Sequence, residues 1–212
     1  MIKARLGTDF DATIRRAFPF VVRLRVSPDV LTALGVVASL AAAVAFASGR
    51  PRSAGWLLLL GGFFDLIDGV VARAQGTSSS AGAFFDSSMD RLSDLLAFGG
   101  IACGMAARAD VAGVALALWA LGASLMTSYT RARAEQKLAR FEVGLMERGE
   151  RCAVLIAGAV LGFLELALWI IALGATWTTI QRVVAARRLL RQLDDTGCDP
   201  TASAGSVAAQ GV

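Results

Sequence analysis

The sequence predicts an all-α integral membrane protein, a bundle of six transmembrane helices with an N-terminal amphipathic helix beside it. Of the 212 residues, 56% are hydrophobic and 18% are charged, whereas soluble domains carry about a quarter charged residues. The charges are gathered into patches between long uncharged segments. The chain has no His, which excludes imidazole bases, Ser-His-Asp triads and His metal ligands. Any acid or base chemistry must therefore depend on carboxylates.

Uncharged segments long enough to cross about 30 Å of hydrocarbon mark the predicted spans. The first four segments are residues 31–48, 54–72, 83–107 and 111–130. A further segment, residues 152–180, is interrupted only by Glu165. Because this segment is too long for one span, we expect two short helices that turn near residues 162–165. The total is six helices.

The two ends of the chain differ from the membrane domain. In residues 1–26, apolar side chains recur at three- and four-residue spacings with arginines on other faces, which predicts an amphipathic helix on the membrane surface. A signal peptide is the alternative, but no uninterrupted apolar stretch or small-residue cleavage site follows the first charges. Residues 27–193 form the predicted six-helix membrane domain. Residues 194–212, rich in Gly, Ala and Ser, are expected to be a flexible tail.

The distribution of cations predicts the orientation in the membrane. Six spans place both termini on one side. Of the 21 Lys and Arg residues, all but Arg50, Arg52 and Arg108 fall on the side of the termini. By the positive-inside rule, we expect a multi-pass protein of the cell membrane whose termini and active site are cytoplasmic.

Four aspartates lie where the second predicted helix ends and the third begins. Asp65 and Asp68 are three residues apart, and Asp86 and Asp90 are four apart, so each pair shares a helix face. The short link between the helices makes them antiparallel neighbours, and the four carboxylates can converge. Each acid in a spanning helix costs about 2.5–3.5 kcal/mol, so a cation is required. Carboxylates without His or Cys favour Mg²⁺ or Mn²⁺, and four of them can hold two ions.

Two other interpretations of the acids remain. The aspartates could form a buried charge network with Arg73 and Arg91, and for Asp94 a pair with either of these arginines is favoured over a catalytic role. Intramembrane carboxylates also mark ion pathways, so a cation or proton-coupled transporter is an alternative of another class. Transporter sites, however, tend to lie at the bilayer midplane between repeated halves, and the sequence has no visible repeat.

The aspartates belong to a longer pattern with fixed spacing, D(x)2DG(x)2AR(x)8G(x)3D(x)3D. Its fixed positions are Asp65, Asp68, Gly69, Ala72, Arg73, Gly82, Asp86 and Asp90. With every fixed position matched, the chain resembles the CDP-alcohol phosphotransferases. The resemblance implies a homodimeric membrane enzyme that transfers a phosphatidyl-type group from CDP-diacylglycerol or CDP-archaeol to an alcohol and releases CMP. No nucleic acid partner is expected.

The resemblance also implies roles for individual residues. Asp65, Asp68, Asp86 and Asp90 would be ligands of two Mg²⁺ or Mn²⁺ ions, and Asp90 would be the catalytic base that takes the proton of the acceptor hydroxyl. A second group of residues would contact the CDP-lipid. Its members are Pro28, Asp29, Val30, Leu31, Gly69, Arg73 and Ser79.

Three further segments, SYTRARAE, GLMERGER and TTIQR, resemble the branch of the family that uses inositol phosphate. That branch contains the phosphatidylinositol-phosphate and archaetidylinositol-phosphate synthases, so inositol 1-phosphate is the expected acceptor. A phosphorylated acceptor needs bidentate cationic partners, and the candidates are Arg131, Arg133, Arg151 and Arg182; Arg148 is not among them. Glycerol 3-phosphate, as in phosphatidylglycerophosphate synthases, is the alternative acceptor.

Overall fold

The computed structural model describes residues 27–75, 79–138 and 141–196. These residues form six α-helices and no β-strand. The helices are α1 (Pro28–Ala47), α2 (Pro51–Gln75), α3 (Ser80–Ala106), α4 (Val111–Glu135), α5 (Arg148–Leu161) and α6 (Leu164–Thr196). The predicted amphipathic helix at residues 1–26 lies outside the described residues, as do residues 197–212 of the predicted tail.

Four of the six helices, α1, α2, α4 and α6, are long and apolar enough to cross a membrane. Helix α3 carries Asp86 and Asp90 in its first half and Asp94 just past its midpoint. Helix α5 has 14 residues and is about 21 Å long at 1.5 Å per residue. The described chain is therefore an all-helical membrane protein, as predicted. It has four candidate spans, whereas six were predicted.

The predicted turn between the last two helices is confirmed. Helix α5 ends at Leu161 and α6 begins at Leu164. Gly162 between them has a φ of 87°, in the left-handed region that favours glycine at the end of a helix. The uncharged segment that is too long for one span therefore folds back as a helical hairpin.

Helix α1 packs closely on α3 and holds it against α2, so that the two helices that carry the aspartates, α2 and α3, are fixed relative to each other. A Cβ atom on Gly100 would lie 2.5 Å from the carbonyl oxygen of Ala43, and one on Gly104 would lie 2.3 Å from that of Phe46. Glycine is therefore required at both positions of α3. Helix α1 packs on α2 as well as on α3, so it holds the end of α2 next to the beginning of α3.

Contacts from α6 hold the connection between α4 and α5. Arg182 on α6 donates from Nε to the carbonyl oxygen of Val143 at 2.7 Å. The hydroxyl of Thr178, one turn earlier on α6, accepts from the backbone N–H of Met146 at 3.1 Å. These bonds fix the residues just before α5 and thereby the position at which the first turn of α5 meets the bundle.

Candidate active site

A cavity of about 900 Å³ lies between α1, α2, α3 and α5, and we call it the acidic cavity. The four aspartates of the sequence pattern line one part of it. The rest of the wall is largely apolar and includes Trp56, Leu59, Ile156 and Val160. The acidic cavity thus joins a carboxylate-lined part to an apolar groove between α2 and α5.

Three of the carboxylates converge on one point. Asp65 and Asp68 on α2 and Asp86 on α3 each place one oxygen within 4.8 Å of the other two. Negative charges this close repel one another unless a cation lies between them. A set of carboxylate oxygens without His or Cys matches the ligand preference of Mg²⁺ and Mn²⁺. The residues present therefore fit a divalent metal ion.

Helix α1 supplies a contact that the sequence did not predict. The hydroxyl of Thr32 donates to Oδ2 of Asp68 at 2.6 Å, and both residues are buried. This bond fixes the orientation of the Asp68 carboxylate. Thr32 lines the acidic cavity, whereas the preceding residues Pro28–Leu31, predicted to border the nucleotide, are not among the described residues that line it. The sequence feature that could have identified this contact is the hydroxyl of Thr32, the last residue of the SPDVLT segment.

Arg148, in the first turn of α5, connects the acids of α2 with those of α3. Its Nη1 lies 2.7 Å from Oδ2 of Asp65, and its Nη2 lies 3.0 Å from Oδ1 of Asp90. One guanidinium therefore compensates part of the negative charge and holds the predicted base, Asp90, in a defined position relative to a predicted metal ligand. The sequence prediction left Arg148 out, although it stands in the GLMERGER segment three residues before Arg151.

A second ion pair links α5 and α3 beside the first. Nη2 of Arg151 lies 3.7 Å from Oδ2 of Asp94, and both residues are buried. Arg151 also donates to the carbonyl oxygen of Met146 at 3.3 Å. The prediction paired Asp94 with Arg91 or Arg73; the ion pair that the structure gives for Asp94 is with Arg151, because α5 lies close enough to α3 to supply this partner.

The residues predicted to contact the CDP-lipid occupy different places. Gly69 and Arg73 line the acidic cavity, and the guanidinium of Arg73 folds over Gly69, where an added Cβ would lie 3.2 Å from Nη1. Ser79 caps α3, since its hydroxyl accepts from the N–H of Gly82 at 3.0 Å. Ser79 is not among the described residues that line the cavity. Its role toward the lipid stays a prediction.

Three of the four arginines predicted to bind the acceptor form a basic cluster, which we define as Arg131, Arg151 and Arg182. Arg182 is influenced by the positive charges of Arg131 and Arg151 and, in the opposite sense, by the negative charges of Glu147 and Glu135. Arg131 donates from Nε to Glu135 at 2.9 Å and is partly exposed. A cluster of like charges at the end of the bundle is suited to an anion.

The arginines of the basic cluster differ in how many of their guanidinium N–H groups already donate hydrogen bonds within the protein. Arg182 is buried and donates to two backbone carbonyl oxygens, those of Val143 and Thr127, both at 2.7 Å. None of the four predicted arginines lines the acidic cavity, and the fourth, Arg133, lines together with Arg182 a separate cavity between α4 and α6. The acceptor-binding role of these four arginines stays a prediction.

Comparison with known proteins agrees with this site. The family described as CDP-alcohol phosphatidyltransferase matches residues 25–181. The chain is 38% identical over 208 residues to a phosphatidylinositol phosphate synthase of Streptomyces avermitilis, covering 90% of this chain and 84% of that one. It is 36% identical over 190 residues to an archaetidylinositol phosphate synthase of Methanothermobacter thermautotrophicus, covering 86% and 95%.

Two crystal structures of the phosphatidylinositol phosphate synthase of Mycobacterium tuberculosis have the same fold at 30% identity. The one with CDP-DAG bound gives a TM-score of 0.72 and covers 83% of this chain and 92% of that chain. The one in complex with manganese and citrate gives 0.73 and covers 83% and 88%. This chain belongs to the CDP-alcohol phosphatidyltransferase family and is a metal-dependent enzyme of phospholipid biosynthesis.

Proposed function

We propose that this enzyme transfers the phosphatidyl-type group of a CDP-activated lipid to inositol 1-phosphate and releases CMP. The observation that carries the proposal is the shape of the acidic cavity, in which a carboxylate-lined part opens into an apolar groove. An activated lipid has the same division, with a charged diphosphate next to apolar chains. The names of the relatives from Streptomyces and Methanothermobacter support inositol phosphate as the acceptor.

The lipid substrate would lie with its chains along the groove between α2 and α5 and its diphosphate at the aspartates. Gly69 has no side chain where the diphosphate would approach α2, and the Arg73 guanidinium beside it would neutralise phosphate charge. Asp65, Asp68 and Asp86 would hold a divalent ion, and with Asp90 the four carboxylates suffice for two ions. When bound, the metal neutralises charge on the diphosphate and polarises the phosphorus under attack.

The residues of the chain would perform the proton transfer. Asp90 accepts the proton of the acceptor hydroxyl while the hydroxyl oxygen forms a bond to the lipid-linked phosphorus. The bond from that phosphorus to the oxygen of CMP breaks, and CMP leaves with the electron pair. Arg148 holds Asp90 during this step, because its guanidinium is anchored at the same time to Asp65.

The basic cluster would hold the phosphate of the acceptor. Arg151 lies one helical turn after Arg148, which lines the acidic cavity, and donates to the hydroxyl of Ser128 on α4 at 3.5 Å. Arg131 has the most exposed guanidinium of the cluster and would supply the phosphate contact, while Arg182 contributes its charge from a fixed position. An inositol phosphate bound there would present its hydroxyl toward Asp90.

The arrangement in the membrane is part of the same proposal. We expect all six helices to lie in the bilayer, with residues 1–26 as a surface helix and both termini on the cytoplasmic side. The tight connections α1–α2, α3–α4 and α5–α6 would then lie on the opposite side, where the sequence places Arg50, Arg52 and Arg108. The homodimer remains an expectation from the family resemblance.

A panel of acceptors tests the proposed reaction. Purified enzyme would be incubated with labelled CDP-DAG, Mg²⁺ or Mn²⁺ and either inositol 1-phosphate, glycerol 3-phosphate or free inositol, and the products identified by mass. We expect CMP release and a phosphorylated inositol lipid with inositol 1-phosphate, and no product with chelator present. Turnover with glycerol 3-phosphate instead would overturn the acceptor and leave the reaction class intact. No CMP release with any acceptor would contradict the transferase itself.

A further inference from the structure

A second cavity, of about 400 Å³, lies between the C-terminal parts of α4 and α6, and we call it the α4–α6 cavity. It shares no lining residue with the acidic cavity, and of the basic cluster only Arg182 lies in its wall. The polar side chains that matter for its charge are Arg133 from α4 and Arg182, Arg187, Arg191 and Asp194 from α6.

The α4–α6 cavity carries an excess of positive charge. Among the described residues, Arg133, Arg187 and Arg191 form no ion pair with a carboxylate. Arg187 and Arg191 are four residues apart on one helix, a spacing at which like charges destabilise the helix. Asp194 is the one acid in the described lining. An anion bound between these arginines would relieve the repulsion.

The position of the cavity points to the membrane surface. Helices α4 and α6 are both candidate spans. Helix α6 has 33 residues and is about 50 Å long, whereas the hydrocarbon core is about 30 Å thick. The arginine-bearing end of α6 therefore extends past the hydrocarbon. Tyr129 on the rim of the cavity is 60% exposed, as is typical of aromatic residues at the interface between lipid and water.

The lining also contains apolar side chains that lie between its arginines. Val183 and Leu190 alternate with the arginines along α6, so that a ligand with a charged head and an apolar stem would match it. A free phosphate or a soluble nucleotide would use the charge and leave the apolar wall without a partner. Basic pockets between membrane helices favour the head groups of anionic lipids for this reason.

We propose that the α4–α6 cavity binds the phosphodiester head group of an anionic phospholipid from the surrounding membrane, a lipid that is not a reactant of the enzyme. Arg187 and Arg191 contact the phosphate from α6, and Arg133 contacts it from α4. The glycerol and the upper part of the chains lie against Val183 and Leu190. This inference does not depend on the identity of the acceptor alcohol.

Native mass spectrometry of the full chain tests the site. The protein would be reconstituted in phosphatidylcholine nanodiscs that contain phosphatidylglycerol, and the affinity of the tightest phosphatidylglycerol binding step measured after release from the discs. In R187Q/R191Q we expect this affinity to fall about five-fold for each arginine removed, which corresponds to the contribution of one basic residue near an anionic head group. R187K/R191K, which keeps the charge, should retain most of it.

R188Q is the matched control, because Arg188 has the same charge on the same helix but lies outside the α4–α6 cavity. We expect R188Q to bind phosphatidylglycerol as the unmodified chain does. If R188Q and R187Q/R191Q lost the same affinity for phosphatidylglycerol, general surface charge would explain the binding, and the proposed site would be overturned. Unchanged binding in R187Q/R191Q, or displacement of the lipid by inorganic phosphate at equal concentration, would also overturn it. Thermal unfolding and gel filtration of each variant would establish that the variants fold.

Discussion

The aspartates of the acidic cavity and the arginines of the basic cluster are both groups of like charge, but they differ in how their charges are compensated. The acids meet cationic side chains, as Arg148 does with Asp65 and Asp90. Arg182 meets backbone carbonyl oxygens, which are neutral. Arg131 and Arg151 do pair with acids, Glu135 and Asp94, so among the described contacts Arg182 is the member of the basic cluster whose charge meets neutral partners alone.

This difference separates structural from chemical roles. Removal of an acid that lines the cavity leaves the backbone contacts of the bundle unchanged. Removal of Arg151 or Arg182 also removes a hydrogen bond to the connection between α4 and α5. Substitutions among the acids should therefore act on metal binding and turnover, and those among the buried arginines on the fold as well.

The largest effect is expected at Asp90. In Asp90→Asn the amide has nearly the same shape but cannot take the acceptor proton and is a weaker metal ligand. We expect CMP release to fall by about 10²–10⁴-fold, the contribution of a general base, while much of the CDP-lipid binding remains. Initial rates of CMP release, together with binding of labelled CDP-DAG, measure the two quantities.

Asp110→Asn is a matched control for that substitution. Asp110 caps α4 by accepting from the N–H of Gly113 at 2.9 Å, and Asn is an equally good cap. The control should keep full activity. If Asp90→Asn released CMP at the unmodified rate, Asp90 would not be the base.

The sequence predicted the convergence of the acids because the necessary information is local. The spacing within each aspartate pair fixes a shared helix face, and the short link between α2 and α3 brings the two faces together. Thr32 and Arg148 were missed because they reach the site from α1 and α5, whose positions depend on distant contacts. For α1 these are the close approaches at Gly100 and Gly104, and for α5 the bonds from Arg182 and Thr178.

The prediction that Arg131 and Arg133 both bind the acceptor shows a second limit of the sequence analysis. Successive residues of a helix differ by about 100°, so that two residues separated by one position lie on nearly opposite faces. The structure accordingly places Arg133 in the α4–α6 cavity and Arg131 in the basic cluster. The resemblance to SYTRARAE had treated them alike, although the helical period alone distinguishes them.

An effect of intermediate size is expected at Arg131, the member of the basic cluster without a bond to the α4–α5 connection. Arg131→Ala should raise the KM for inositol 1-phosphate by about 10- to 100-fold, the value of a hydrogen bond to a charged group, with little change in CDP-lipid affinity. Steady-state kinetics with each substrate varied in turn would separate the two constants. Arg188→Ala, on the outer part of α6, should leave both unchanged.

Arg151→Ala distinguishes the two kinds of role within the same cluster. It removes the ion-pair partner of the buried Asp94, a change that costs about 3–5 kcal/mol when a buried pair is broken, so thermal stability should fall together with acceptor affinity. A loss of stability in Arg131→Ala as large as that in Arg151→Ala would contradict the distinction drawn here.

The smallest effect is expected at Thr32, which acts on the acids through a single hydrogen bond. Thr32→Val keeps the shape of the side chain and removes the hydroxyl that donates to Asp68 at 2.6 Å. Loss of a bond that orients a metal ligand weakens metal affinity by about 10- to 100-fold, and we expect the lower end because Asp65 and Asp86 remain. Mn²⁺ binding measured by electron paramagnetic resonance, without lipid or acceptor, gives the affinity independently of turnover. Ser39→Ala is the control, since Ser39 lines the same cavity from α1 but donates to its own helix at the Gly35 carbonyl oxygen. Equal Mn²⁺ affinities of Thr32→Val and the unmodified chain would place the metal away from Asp68 and restrict the cation site to the acids bridged by Arg148.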